Sequence, residues 1–78
     1  MTHEQLAIEN FVYWLLHTSP ERFYKHRTNI GNAVKLFGKK RVLDEIIKQG
    51  KDSMKLSEAL SISRIITEIE STTPPEIL

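Results

Sequence analysis

The chain has 78 residues, 40% of them hydrophobic, and a formal net charge of +1. This length fits one small domain, and this apolar fraction is enough for a core, which excludes wholesale disorder. The absence of cysteine excludes disulfides, thiolate zinc sites and thiol nucleophiles, and it is compatible with a reducing compartment. We therefore expect a single domain in the cytoplasm.

The first predicted helix covers about residues 3–17, and Thr2 and Gln5 have the spacing of a capping box at its start. Its apolar run, residues 6–16, is too short to span a bilayer, so we expect no membrane insertion. At 100° per residue, one broad face is predicted to point to the core. That face contains Ala7, Ile8, Phe11, Val12, Trp14 and Leu15.

Three further apolar residues of this helix, Leu6, Tyr13 and Leu16, are not needed by that face. One interpretation makes them additional core contacts, because a helix that is apolar over most of its circumference is usually covered from two sides. The other makes them a contact surface for a protein partner or a second copy of the chain, since tyrosine is enriched at interfaces.

A second helical segment is predicted over residues 20–37. Ser19 suits its N-cap and Pro20 its first position. Thr28 and the asparagine after it could cap a new helix, so we expect a break near residue 28, with one continuous helix as the alternative. Gly38 is well placed to end the segment in a left-handed turn.

A third helix is predicted over residues 40–49, ended by Gly50, with apolar spacing typical of a buried helix face. Its core positions are Val42, Leu43, Ile46 and Ile47. Beyond it, the apolar residues before and after Ser61 point to different sides. This change predicts two short helices, 54–60 and 62–70, with a serine capping the second.

The resulting fold class is all-α, a small bundle of four to five short helices. We expect one helical domain over residues 1–71 and an extended, proline-containing tail over residues 72–78. The core is expected to join the first helix to Phe23, Val34, Ile46 and the C-terminal isoleucines.

The small net charge hides a segregated distribution. Residues 1–21 sum to −3, residues 22–55 to +7 and residues 56–78 to −3. A basic middle indicates an acidic or polyanionic partner, whereas the plainer interpretation is that these side chains solvate helix faces.

Catalytic patterns are weak. The histidines His3, His17 and His26 lack metal-ligand spacing, and the first two would lie about 21 Å apart along one helix. Asp44 and Glu45 are adjacent, so they point about 100° apart on a helix and are predicted to be surface charges. We expect no catalytic residue, no metal site and no cofactor.

Residues 32–47 resemble the helix-turn-helix motif of DNA-binding regulators, as helix, glycine turn and a second helix with a basic start. The resemblance implies that the basic residues contact DNA phosphates or guanine edges. Those residues are Lys35, Lys39, Lys40 and Arg41. Lys39 departs from the motif, which has an apolar residue after the glycine.

Residues 56–69, LSEALSISRIITEI, are similar to the L-A-E-A-L-G-I-S-R pattern of many bacterial regulators. Ser61 replaces the turn glycine, and only Arg64 is basic in the second half. An acidic, isoleucine-rich helix suits a phosphate-lined groove poorly. We interpret this second segment as packing helices.

Our leading functional prediction is a small non-enzymatic regulatory or adaptor protein that binds another protein, in the style of phage and plasmid accessory regulators. Leu6, Tyr13 and Leu16 are its candidate partner or self-association residues. The alternative is a DNA-binding regulator, dimeric, that uses the basic segment 35–41. A structural subunit of a larger assembly is the third interpretation.

Overall fold

In the computed structural model, which describes residues 2–72, the chain folds as an all-α domain of five helices. They are α1 (His3–Leu16), α2 (Pro20–Lys25), α3 (Arg27–Phe37), α4 (Lys39–Asp52) and α5 (Leu56–Thr72). The predicted fold class is confirmed. The predicted tail falls almost wholly outside the described residues, and its first residue, Thr72, belongs to α5.

Local cap chemistry sets the first helix boundaries. The backbone N–H of Gln5 donates to the hydroxyl of Thr2 over 3.1 Å, which is half of the predicted capping box. The Gln5 side-chain nitrogen is instead directed to Glu9 and Glu45. Ser19 occupies the N-cap position of α2, as predicted, but its side chain makes no cap hydrogen bond.

The expected break in the second segment is present, at His26, two residues earlier than predicted. Gly38 separates α3 from α4 with a φ of +98°, a conformation that residues with a Cβ rarely adopt. Because Gly38 adopts this conformation, it can redirect the chain between the two helices as a single connecting residue.

The prediction that Gly50 ends the third helix is wrong. Gly50 lies inside α4, where a Cβ added to it would meet the Cβ of Ala59 at 2.4 Å. The glycine is thus required by the close crossing of α4 and α5. The helix ends in a Schellman motif: the N–H of Lys55 donates to the carbonyl of Gly50, and that of Met54 donates to Lys51.

The prediction of two helices meeting at Ser61 is also wrong, because α5 is continuous. Its core stripe has regular helical spacing, so no change of face is needed. The stripe consists of Ala59, Ile62, Ile66 and Ile69. Leu56 and Leu60, which suggested a second buried face, are exposed. Ser63 does not cap a helix, since its hydroxyl donates to the carbonyl of Ala59.

The core lies where α1, α3 and α4 pack around α5. Of the residues expected to join α1 in it, Phe23, Val34 and Ile46 are buried. Three isoleucines of α5, at positions 62, 66 and 69, are also buried, and Ile65 is partly buried. On α4, Val42 is buried as well, and Leu43 and Ile47 pack against the core. This arrangement leaves the side of α1 away from α4 and α5 open.

Within the described residues, no helix is long and apolar enough to cross a membrane.

Candidate functional site

The open side of α1 is the candidate functional site, and we call it the α1 face. Its members recur at i, i+3, i+4 and i+7, and all of them are exposed. They are His3, Leu6, Ala7, Asn10, Tyr13, Trp14 and His17. None of these side chains is acidic, and none is lysine or arginine.

Large apolar side chains dominate this surface. Leu6 is 47% exposed, Tyr13 is 59% exposed and Trp14 is 37% exposed. On the opposite side of the helix, Ile8 and Val12 belong to the core, and Trp14 touches it through Phe23. An apolar, aromatic surface with this much exposure is typical of an interaction site.

The third predicted contact residue is corrected by the structure. Leu16 is only 7% exposed and belongs to the core, because α1 packs against both α4 and α5 and its buried face is turned toward them. The same rotation exposes Ala7 and Trp14, which were predicted to be buried. The sequence thus predicted a second surface on α1 but assigned one residue to it wrongly and omitted two.

Ring contacts order the C-terminal end of the α1 face. The Tyr13 ring stacks on the His17 ring with centroids 4.0 Å apart, and His17 Nδ1 lies 2.9 Å from the Tyr13 carbonyl oxygen. Trp14 meets Phe23 and His26 with centroid distances of 6.1 Å in both cases. Side chains held in this way lose less conformational entropy when a partner binds.

A polar network joins the other side of α1 to α4. Glu45, predicted to be a surface charge, is buried, and its carboxylate accepts hydrogen bonds from Gln49 (2.9 Å) and Gln5 (3.4 Å). The Gln49 amide also donates to the Glu9 carbonyl over 3.1 Å. Neighbouring amides therefore satisfy the buried carboxylate and fix α1 relative to α4.

The predicted basic residues flank Gly38, and we call this region the basic corner. Lys35 lies in the last turn of α3, and the other three, Lys39, Lys40 and Arg41, form the first turn of α4. Cations at the positive end of a helix dipole raise the local positive potential. Arg41 is partly neutralised by an ion pair with Glu4, in which both side chains are about half exposed.

The structure bears on both helix-turn-helix resemblances. In residues 32–47 the connection between helices is the single residue Gly38, shorter than the turn of three to four residues in the motif. Residues 56–69 have no turn, because all of them lie in α5. The second segment therefore contributes packing surface from one helix.

Residues 2–72 contain no group of three or more acidic or histidine side chains placed to hold a metal ion. Two surfaces of the described residues have a chemistry suited to noncovalent binding, the α1 face and the basic corner.

Comparisons with protein-family models, with curated proteins and with solved structures found no match for this chain.

Proposed function

We propose that this protein acts by binding another protein through the α1 face, as a non-enzymatic regulatory or adaptor protein. The observation that supports the proposal is the exposure of Leu6, Tyr13 and Trp14 on one side of a helix whose opposite side packs in the core. Burying this surface removes apolar area from water without removing water from a carboxylate, an ammonium or a guanidinium group.

The composition of the surface also supports a protein partner. Tyrosine and tryptophan are enriched at the energetically dominant positions of protein interfaces. Their rings are held by His17, Phe23 and His26, so a partner meets a surface that is already ordered. Polar Asn10 in the middle gives the contact a hydrogen-bonding group that favours one register.

A photo-crosslinking amino acid in place of Tyr13 tests the proposal in cells that naturally produce the protein. Irradiation should give a covalent adduct with a protein. The matched control carries the same group in place of Lys48, an exposed residue of α4, and should give no such adduct. If position 13 gives no adduct where the protein is folded, the proposal is wrong.

The double variant Leu6→Ala with Tyr13→Ala should separate binding from folding. Both residues are about half exposed, so the free energy of unfolding should change by less than about 1 kcal/mol. Partner capture should be lost. Ile8→Ala on the buried side of the same helix is the contrast, with an expected loss of about 2–5 kcal/mol. A collapsed double variant would show that Leu6 and Tyr13 serve the core.

The second candidate function is nucleic-acid binding at the basic corner, favoured by three consecutive cations in the first turn of α4. Duplex DNA should retain the protein at low salt, with a steep loss of affinity between about 50 and 200 mM salt. The triple variant Lys39→Ala, Lys40→Ala and Arg41→Ala should abolish retention without unfolding. Passage of the wild-type protein through a DNA column at low salt would eliminate this candidate.

A further inference from the structure

We propose that the α1 face binds the same face of a second copy of this chain, with the two α1 helices antiparallel about a two-fold axis near Asn10. This inference rests on the proposed function and names its partner. It follows from the symmetry of the exposed positions, from their sizes and from the charges beside them.

The α1 face is symmetric in position about Asn10. The members of the face form pairs at equal distances on either side of this residue: 3 with 17, 6 with 14, and 7 with 13. In an isologous interface, if one residue contacts a second residue of the other copy, the second residue of the first copy makes the same contact in return. These pairs satisfy that rule when the two helices are antiparallel. The i, i+3, i+4, i+7 spacing is also that of two helices packed along their length.

The sizes of the paired residues complement one another when the helices are antiparallel. Ala7 would face Tyr13 of the second copy, so the small side chain leaves room for the ring. Leu6 would face Trp14, and Asn10 would face its own copy across the axis. Parallel packing would place alanine on alanine and tyrosine on tyrosine, which leaves a gap at one end and crowding at the other.

The charges next to the face favour the same orientation. Near the start of α1, Glu4 is exposed, and it also forms an ion pair with Arg41. In the second half, Trp14 touches Phe23 and His26, and the chain neighbours of those two residues include the exposed basic residues Arg22, Lys25 and Arg27. Antiparallel packing brings the acidic end of each copy toward the basic end of the other and opposes the two helix dipoles.

The size of the surface predicts a reversible dimer. A helix of 14 residues is about 21 Å long, so its single face offers well below the roughly 800 Å² per partner of a standard stable interface. Dissociation should therefore be visible on dilution. The dimer should form at high micromolar concentrations and be lost at low micromolar ones.

The chain has no native cysteine, which permits a clean crosslinking experiment. Asn10→Cys should form a disulfide-linked dimer under mild oxidation at least about tenfold faster than Lys48→Cys, because association raises the effective concentration of thiols at the axis. Sedimentation velocity of the cysteine-free wild type should show concentration-dependent dimerisation. Leu6→Ala with Tyr13→Ala should remain monomeric.

A second pair of variants determines the orientation even if a cysteine at position 10 weakens the dimer. A mixture of His3→Cys and His17→Cys chains should yield mainly the mixed crosslink. Predominant crosslinks between identical positions would contradict the antiparallel arrangement.

Failure of the dimer and failure of the proposed function give different results. A wild type that stays monomeric up to about 500 µM overturns the dimer, since an interface of this class would be populated there. In that case an adduct at position 13 with a protein of another mass would leave the proposed function standing. An adduct of twice the chain's own mass supports both, and no adduct refutes both.

Discussion

At Gly50, the missing side chain decides how closely two helices pack. Replacement by alanine improves helix propensity by about 1 kcal/mol, but the new methyl group would lie 2.4 Å from the Cβ of Ala59. Relief requires α4 and α5 to separate, and such overpacking typically costs about 1–3 kcal/mol. We expect Gly50→Ala to lower the melting temperature measured by circular dichroism, despite its better propensity.

The double variant Gly50→Ala with Ala59→Gly is the matched control. It moves the methyl group from one helix to the other and should recover part of the lost stability. If Gly50→Ala alone is as stable as the wild type, the close crossing of α4 and α5 is not as described.

Met54 is the second residue at which backbone geometry outweighs side-chain preference. It has a φ of +58° at the left-handed position of the Schellman motif, and its side chain is 93% exposed. A left-handed conformation costs a residue with a Cβ about 1–2 kcal/mol, and glycine avoids this cost. Met54→Gly should therefore increase the free energy of unfolding by about 1 kcal/mol, which a higher midpoint of urea unfolding would show.

Met54→Ala separates the two parts of that substitution. It removes the exposed side chain but keeps the Cβ, so it should leave the urea midpoint close to that of the wild type. Equal stabilisation by alanine and glycine would show that the backbone conformation is not the cause.

At the scale of the element, the polar network between α1 and α4 should contribute to stability. Gln49→Ala removes one donor from the buried carboxylate of Glu45 and one from the carbonyl of Glu9. A buried group left without its partner costs about 1–3 kcal/mol, which for a domain of this size corresponds to a fall in melting temperature of at least about 4 °C.

Lys48→Ala is the neighbouring control on α4, because Lys48 is exposed and both substitutions have similar effects on helix propensity. Its melting temperature should stay near that of the wild type. An equal fall in both variants would assign the effect to the helix and not to the network.

The elements show where sequence reasoning is sufficient. The starts of α1 and α2 and the turn at Gly38 could be predicted because Thr2, Ser19 and Gly38 are residue types favoured at helix boundaries by the neighbouring backbone alone. Thr2 makes its cap hydrogen bond, whereas the Ser19 side chain makes none. The uncharged, apolar surplus on α1 was also visible in the sequence, as the exposure of Leu6 and Tyr13 confirms.

The errors have a common cause, which is that tertiary packing decided the outcome. Gly50 resembles a helix terminator until Ala59 is seen beside it, and Ser61 resembles a break until α5 is seen to bury one regular stripe. Leu16 is buried and Trp14 is exposed, the reverse of the prediction, because the position of α4 and α5 sets which side of α1 is covered. The spacing of uncharged residues at 3, 6, 7, 10, 13, 14 and 17 was the available signal.

At the scale of the whole molecule, stability and occupancy of the α1 face should be coupled. Domains of this size have small free energies of unfolding, so a ligand that binds only the folded state has a visible effect. If a second copy occupies the face, raising the concentration from about 5 to about 500 µM should add on the order of 1 kcal/mol, or about 4–8 °C in melting temperature.

The variant Leu6→Ala with Tyr13→Ala should melt at the same temperature at both concentrations, because it lacks the surface through which association stabilises the fold. A wild-type melting temperature that is independent of protein concentration would contradict the coupling of stability to self-association.

The position of Trp14 has a practical consequence. It is the only tryptophan in the chain, and its indole lies between the packed rings of Phe23 and His26 and the open α1 face. All indole fluorescence of the native protein therefore originates at the border of the proposed binding surface. A partner that covers this surface removes water from the indole and shifts the emission to shorter wavelength, whereas unfolding shifts it to longer wavelength. The protein thus carries an intrinsic optical probe that distinguishes occupancy from denaturation without any label.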